Sequence, residues 1–285
     1  MGGVEFRKGH GTENDFVLLP DAEGRLALTV ERVRALCDRR RGLGADGVLR
    51  VVRASAVDGA PPDVDGDAWF MDYRNADGSI AEMCGNGVRL FARHLVEVGL
   101  AESGEFTVGT MAGPRHVTVH PDLSVTVALG HARIGERSAA TVSGQRIDGL
   151  AVDVGNPHLV CVVQAAVEQL DLGSPPGYDR ALFPRGVNVE FVNVLAENRL
   201  RMRVHERGVG ETRSCGTGTV AAVAATVHRF GETSGAMDVE VPGGRVRVTV
   251  AVGGCTLRGP AEFVARGELD ASWWEAAAAT AARVA

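Results

Sequence analysis

Two stretches of the chain carry apolar residues at helical spacing, and each starts just after a cysteine in a glycine-rich turn. Across residues 86–98, Val88, Phe91, Ala92 and Leu95 recur at intervals of three and four, the pattern of one buried helix face. Across 218–230 the run Val220-Ala221-Ala222-Val223-Ala224-Ala225 is apolar nearly all round, which predicts a helix surrounded by protein. Short alternating segments follow both: 106–108, 116–120 and 123–127 after the first, 237–241 and 245–252 after the second. In the last of these Val246, Val248 and Val250 fall on one face of a strand. Ahead of each cysteine a strand-like run (69–73 and 200–205) leads to a polar residue nine positions upstream, Asn75 or Glu206. Both helical patterns stop at a glycine, Gly99 and Gly231. The order of elements therefore repeats. It predicts an α+β chain of two pseudo-symmetric domains, each a curved, mainly antiparallel sheet or barrel around a central buried helix.

The domain boundary is expected near Leu129-Gly130, giving a first domain over 1–129 with Cys84 and a second over 130–260 with Cys215. Residues 54–67, rich in Asp, Pro and Gly, read as a solvent-exposed loop. The alanine-rich end, 271–285, reads as a surface helix or a frayed tail.

Composition narrows the function. The 285 residues are enough for two domains with cores of their own. A net charge of −6 offers no basic footprint for nucleic acid or an anionic membrane surface. The longest apolar stretches fall far short of the roughly 20 residues of a membrane span, and the first 20 residues lack the form of a signal peptide. The five cysteines (37, 84, 161, 215 and 255) are odd in number and include no CxxC pair, which argues for a reducing, cytoplasmic setting. Cys161 lies in an apolar run and reads as a small buried hydrophobe; Cys37 and Cys255 lack a glycine-rich context and read as structural.

Cys84 and Cys215 differ. In Met83-Cys84-Gly85-Asn86-Gly87 and Ser214-Cys215-Gly216-Thr217-Gly218, each thiol is placed at a helix N-terminus, where free backbone N–H groups and the helix dipole favour a thiolate. The glycines let the backbone come close to a ligand and donate N–H groups to a carboxylate. A duplicated unit suggests two facing thiols in the cleft between the domains. One, as thiolate, would remove a proton from a carbon, and the other, as thiol, would deliver one to the opposite face. For a carbon acid as weak as an amino-acid α-carbon, the N–H groups of the two turns would stabilise the developing negative charge. The alternative, a pyridoxal cofactor on a Schiff-base lysine, has only Lys8 to use, with no phosphate-binding loop nearby. A cofactor-free route is the preferred reading, and no metal is expected.

A second set of residues is unusually polar for its surroundings: Asn14, Asn75, Asn156 and His158 in Gly155-Asn156-Pro157-His158, Asn188, and Glu206-Arg207. Each has an ordinary reading. Asn beside Gly or Pro is a common turn former, and Glu206 with Arg207 fits a structural ion pair. Together they offer neutral donors and acceptors, with one charge of each sign, for a small zwitterion.

These motifs, with Asn14-Asp15-Phe16, Gly44-Ala45-Asp46-Gly47, Tyr73-Arg74-Asn75-Ala76-Asp77-Gly78-Ser79 and His205-Glu206-Arg207-Gly208-Val209-Gly210-Glu211-Thr212, resemble the diaminopimelate epimerase family over nearly the whole chain. The resemblance implies interconversion of LL- and meso-diaminopimelate by Cys84 and Cys215 in bacterial lysine and peptidoglycan precursor synthesis. It further implies substrate contacts at Asn14, Asn75, Asn156, Asn188, Glu206, Arg207 and the Gly85-Asn86 and Gly216-Thr217 amides, with His158 and Glu206 tuning the thiols. It implies a homodimer, two domains that close over substrate, and a last segment, 261–285, that returns to the first domain. The chain departs from the family at Gly47, where glutamine is common, at Thr217, where serine is common, at Glu13, and in the inserted loop 54–67.

The related proline racemase and hydroxyproline epimerase group shares the two-cysteine logic. It usually carries histidine where this chain has Asn86, and the Glu206-Arg207 motif is not expected there. A thiol redox protein would leave the asparagine set without a role, and a metal site of Cys84, Cys215, His158 and Glu206 lacks short ligand spacing.

Overall fold

A computed structural model describes residues 3–279, and the chain divides into two compact units, Met1–Val125 with Ala261–Ala285, and Thr126–Pro260. The first unit contains β1 (Val4–Gly11), β2 (Asn14–Pro20), α1 (Val30–Cys37), β3 (Gly47–Arg53), β4 (Trp69–Asn75), β5 (Ile80–Ala81), α2 (Gly85–Glu97), β6 (Gly104–Val108) and β7 (Arg115–Val119). From the division onward run β8 (Val125–Ala128), β9 (Arg133–Val142), β10 (Gln145–Asp153), β11 (Pro157–Val162), β12 (Gly177–Tyr178), β13 (Asn188–Ala196), β14 (Arg199–Glu206), β15 (Gly210–Thr212), α3 (Gly216–Arg229), β16 (Gly235–Val241), β17 (Gly244–Ala251) and β18 (Gly254–Gly259). The chain then returns to the first unit as β19 (Glu262–Leu269) and α4 (Ala271–Ala279). Among the described residues no helix is long and apolar enough to cross a membrane.

The repeat in the sequence is a repeat in topology. The first unit builds an open sheet in the order β19-β1-β2-β3-β4-β5, and the second contains β9-β10-β11-β13-β14 with β15 on β14. In both series every neighbour is antiparallel except the central pair, β2 with β3 and β11 with β13. The last strand of the chain thus fills in the first unit the place that β9 holds in the second. Both sheets end in free edges, so the open-sheet form of the expectation holds and the barrel form does not.

Each unit packs around one helix. Val88, Leu90, Phe91, Ala92 and Leu95 of α2 are fully buried against β1, β2, β3, β4 and β7. Helix α3 is buried from Thr219 to Val227 under strands from both sides of its sheet, including β10, β13, β16 and β17. Its all-round apolar sequence needs that enclosure. The two helices begin before the predicted 86 and 218 because each cysteine is the N-cap: the Cys84 carbonyl accepts from Val88 N–H at 2.8 Å and the Cys215 carbonyl from Thr219 N–H at 3.0 Å. They end at Gly99 and Gly231, with φ of 74° and 79°, the left-handed C-terminal stop.

Two local expectations change. The 54–67 segment is not simply solvent-exposed: Val57, Ala60 and Val64 fold back with Met111 over buried Val52, Ala54 and Phe70, because its apolar residues find a small core of their own. The tail is helical at Ala271–Ala279 and docks on α1, with Trp274 only 5% exposed and the Arg32 guanidinium 4.4 Å from its ring. Residues 280–285 of that expectation lie outside the described residues.

Candidate functional site

In the first unit, Cys84 stands at the N-cap of α2 with φ, ψ of −140°, 120°, and Gly85 and Asn86 are the first helical residues. Around it the structure gathers Asn14 and Asn86. The Asn14 Oδ1 accepts from Asn86 Nδ2 at 3.1 Å and from the Cys84 thiol at 3.5 Å, while its Nδ2 donates to Asp46 Oδ2 at 2.7 Å. Asn14 follows the tight turn of the β1–β2 hairpin, whose two turn residues, Thr12 and Glu13, have φ of 50° and 61°. Such values are uncommon outside Gly and Asn, and the departure at Glu13 falls on this turn.

Behind the turn lies an ion network. Asp15 accepts from Lys8 at 2.5 Å and from Arg39 at 2.8 Å, and Arg39 also reaches Asp46 at 2.8 Å. Burial works against the Asp15 carboxylate, but Arg39 and Lys8 outweigh it and hold the group down at about 2. The ammonium of Lys8 is thus held by Asp15 and by the Gly44 carbonyl. Arg89 of α2 is fully buried, donates to Thr12 Oγ1 at 3.1 Å, and is pushed down to about 10 by burial, against the opposing pull of Cys84. Asn75 is tied into its own turn, with Nδ2 donating to Ser79 Oγ at 3.0 Å. Gly47, opposite Asn75 in the sheet, has no room for the glutamine common elsewhere: a β-carbon there would lie 2.6 Å from the Arg74 carbonyl oxygen.

In the second unit, Cys215 caps α3 with φ, ψ of −125°, 118°, nearly the backbone of Cys84. Its sulfur accepts from Gly218 N–H at 3.4 Å and lies 3.6 Å from the Thr217 hydroxyl, so the Thr217 side chain stands beside the thiol. Glu206 accepts from Thr212 Oγ1 and acts on the Cys215 thiol through its charge. Burial, then the charges of Glu206 and Glu190, push the Cys215 thiol well above its ordinary value. The expectation that a helix N-terminus favours a thiolate here is therefore reversed. The Gly218 N–H and the Thr217 hydroxyl pull the right way but are outweighed by desolvation and two carboxylates. Burial raises the Glu206 carboxyl too.

His158 reaches this cluster through a residue that sequence reasoning passed over. Its Nδ1 is 2.7 Å from Oε1 of Glu190, both side chains fully buried, and its Nε2 is 3.0 Å from Asn156 Oδ1. Asn188 accepts from the Arg207 backbone N–H at 2.9 Å, and the Arg207 guanidinium donates to the Arg185 carbonyl at 3.1 Å. Glu206 and Arg207 are thus engaged with separate partners. The signal for Glu190 and Arg89 was present: each is a charge inside an apolar run (Val189-Glu190-Phe191, Val88-Arg89-Leu90), where burial demands a partner. Among the described residues no three His, Cys, Asp or Glu side chains are grouped to hold a metal ion.

What the two half-sites share is a glycine-flanked thiol at a helix N-terminus, half-buried at Cys84 and buried at Cys215; they differ in charge, with the buried guanidinium of Arg89 near Cys84, and buried Glu190 and half-buried Glu206 near Cys215. The fold is shared with a hydroxyproline epimerase from Agrobacterium vitis (TM-score 0.63, 16% identity, 97% of this chain and 98% of that one) and a phenazine biosynthesis protein of the PhzF family from Enterococcus faecalis (TM-score 0.65, 13% identity, 94% and 99%). At the level of sequence, a diaminopimelate epimerase from Mycolicibacterium smegmatis is 55% identical over 96% of this chain and 99% of its own length, and one from Rhodococcus jostii 54% identical over 95% and 99%. The chain belongs to the diaminopimelate epimerase family, whose model matches residues 6–135 and 150–264.

Proposed function

We propose that this protein interconverts LL- and meso-2,6-diaminopimelate by moving one proton off and another onto the α-carbon, as an isomerase of the diaminopimelate route to lysine. The reading is carried by one observation above the others: both cysteines cap equivalent helices in matching topology, with nearly the same backbone angles.

In this reading Cys84, as thiolate, takes the α-proton and becomes a thiol. Cys215, held as a thiol by burial and its carboxylates, gives its proton to the opposite face and becomes a thiolate; the reverse reaction exchanges the roles. The amides at Gly85-Asn86 and Gly216-Thr217 stabilise the carboxylate charge that develops between the two steps. Glu206 and His158 tune the thiols, Asn14, Asn75, Asn156, Asn188 and Glu206 contact the substrate, and Arg207 supplies a guanidinium for a carboxylate. We take the enzyme to need no cofactor and to act as a cytoplasmic homodimer, with neither nucleic acid nor membrane as partner. The odd cysteine count without a CxxC pair supports a reducing compartment.

The test is isotopic. In deuterated water, LL-diaminopimelate should epimerise and acquire solvent deuterium at the α-carbon without any oxidant, and Cys84→Ser and Cys215→Ser should each slow this by about a hundredfold or more. Turnover of proline with none of diaminopimelate would overturn the substrate reading.

A further inference from the structure

Glu190 lies at the centre of the second unit's cluster. It projects from β13 to His158 on β11, and its Oε1 would lie 2.8 Å from a β-carbon on Gly218, in the turn that holds Cys215 ahead of α3. It is wholly buried, its Oε1 lies 2.7 Å from His158 Nδ1, and its Oε2 has no hydrogen-bond partner among the described residues. A lone buried carboxylate is costly. The pair is relieved if it holds one shared proton, either as carboxylate and imidazolium or as carboxylic acid and neutral imidazole. Both arrangements have zero net charge. In both, the shared proton lies between Oε1 and Nδ1, and Nε2 keeps a hydrogen of its own.

That last point reaches outward. An Nε2–H facing Asn156 at 3.0 Å must be met by the amide oxygen, because the amide nitrogen has only hydrogens to offer. The Asn156 NH2 group is then turned away from the histidine. A carboxylate beside a neutral imidazole protonated on Nδ1 would leave Nε2 as an acceptor and let the amide flip. That state also leaves an uncompensated charge on a fully buried carboxylate.

We infer that Glu190 is a positioning residue: sharing one proton with His158, it keeps Nε2 a donor and turns the Asn156 amide so that its NH2 group faces the ligand, where it reads an acceptor such as a substrate carboxylate oxygen. The orientation stands on the second unit alone; its use rests on the proposed function, in which Asn156 meets substrate.

The test uses the full chain labelled with 15N-histidine, with the His158 signals identified by their loss in His158→Gln. At neutral pH, Nε2 of His158 should show a directly bonded proton; an unprotonated, pyridine-type Nε2 in the folded wild type overturns the proposal. Glu190→Gln can donate from its carboxamide to Nδ1 and should retain the Nε2–H. Glu190→Met can neither donate nor accept, and should lose the uniform Nε2–H signal and raise KM for diaminopimelate by about tenfold or more, with a smaller fall in kcat, as expected for a lost orienting partner. An unchanged KM in a folded Glu190→Met, or a KM rise just as large in Glu190→Gln, overturns it. If Glu190→Met does not fold, the wild-type and Glu190→Gln spectra still decide. An Nε2–H present in a protein that does not turn over diaminopimelate supports the shared proton and removes the substrate reading instead.

Discussion

Gly218 and Glu190 are packed so closely that a β-carbon on the glycine would lie 2.8 Å from the carboxylate Oε1 and 3.3 Å from the Cys215 sulfur. Helix propensity favours Ala over Gly by about 1 kcal/mol, so by that measure alone Gly218→Ala would stabilise α3. The contact reverses the sign. Glu190 cannot retreat without leaving His158, and the substitution should cost about 1–3 kcal/mol of stability and about a hundredfold in kcat/KM through displacement of the thiol. Chemical denaturation and initial rates check both. A variant more stable than the parent would show that Glu190 has room to move.

Cys215 should be a slow nucleophile at neutral pH. Burial comes first among the causes and Glu206 second, so Glu206→Gln should shift the pH midpoint of Cys215 alkylation downward while epimerisation falls. Mass spectrometry of iodoacetamide-treated protein across a pH series measures it. An unmoved or higher midpoint would mean that the carboxylate does not govern this thiol.

Asp15 ties stability to acid. Its folded value, about 2, lies below the ordinary 3.8, so the folded state binds this proton less readily than the unfolded chain. The stabilisation is fully present above about pH 4 and is lost as pH falls toward 2. Asp15→Asn should therefore lower the unfolding free energy by about 1 kcal/mol at pH 7, allowing for solvent screening, with the gap closing below pH 4 in denaturant titrations. A gap independent of pH would assign the loss to packing.

The C-terminal helix should be integral to the first unit. Trp274 is buried beside Val33, Leu36 and Leu269 and stacked on Arg32, so Trp274→Ala should cost about 2–4 kcal/mol. Thermal melting measures the loss, and an unchanged melting temperature would make α4 an ornament of the surface.

Some of this architecture was legible in the residues and some was not, for physical reasons. The two cysteine turns, the helices behind them and their glycine stops are encoded locally, within about four turns of chain. The place of β19 depends on pairing with β1 across almost the full length of the sequence, which no local pattern records. Asn14 could be picked out as polar, but its bond to Asp46, 32 residues away, could not. At Cys215 the favourable helix end was visible; the carboxylates that overrule it come from β13 and β14, brought near only by folding. Glu190 and Arg89 stand among apolar neighbours, where a charge is as readily taken for a solvent-facing residue as for a buried one.

The position of β19 bears on how the chain matures. Every strand of the second unit is contiguous in sequence, so that unit can close on itself without waiting for a distant segment. The first unit, although made earlier, has an unfilled edge along β1 until residues 262–269 emerge. Non-local closure of this kind is slow, and an open strand edge is prone to pairing with other chains. For the nascent polypeptide, the part made first is the part finished last.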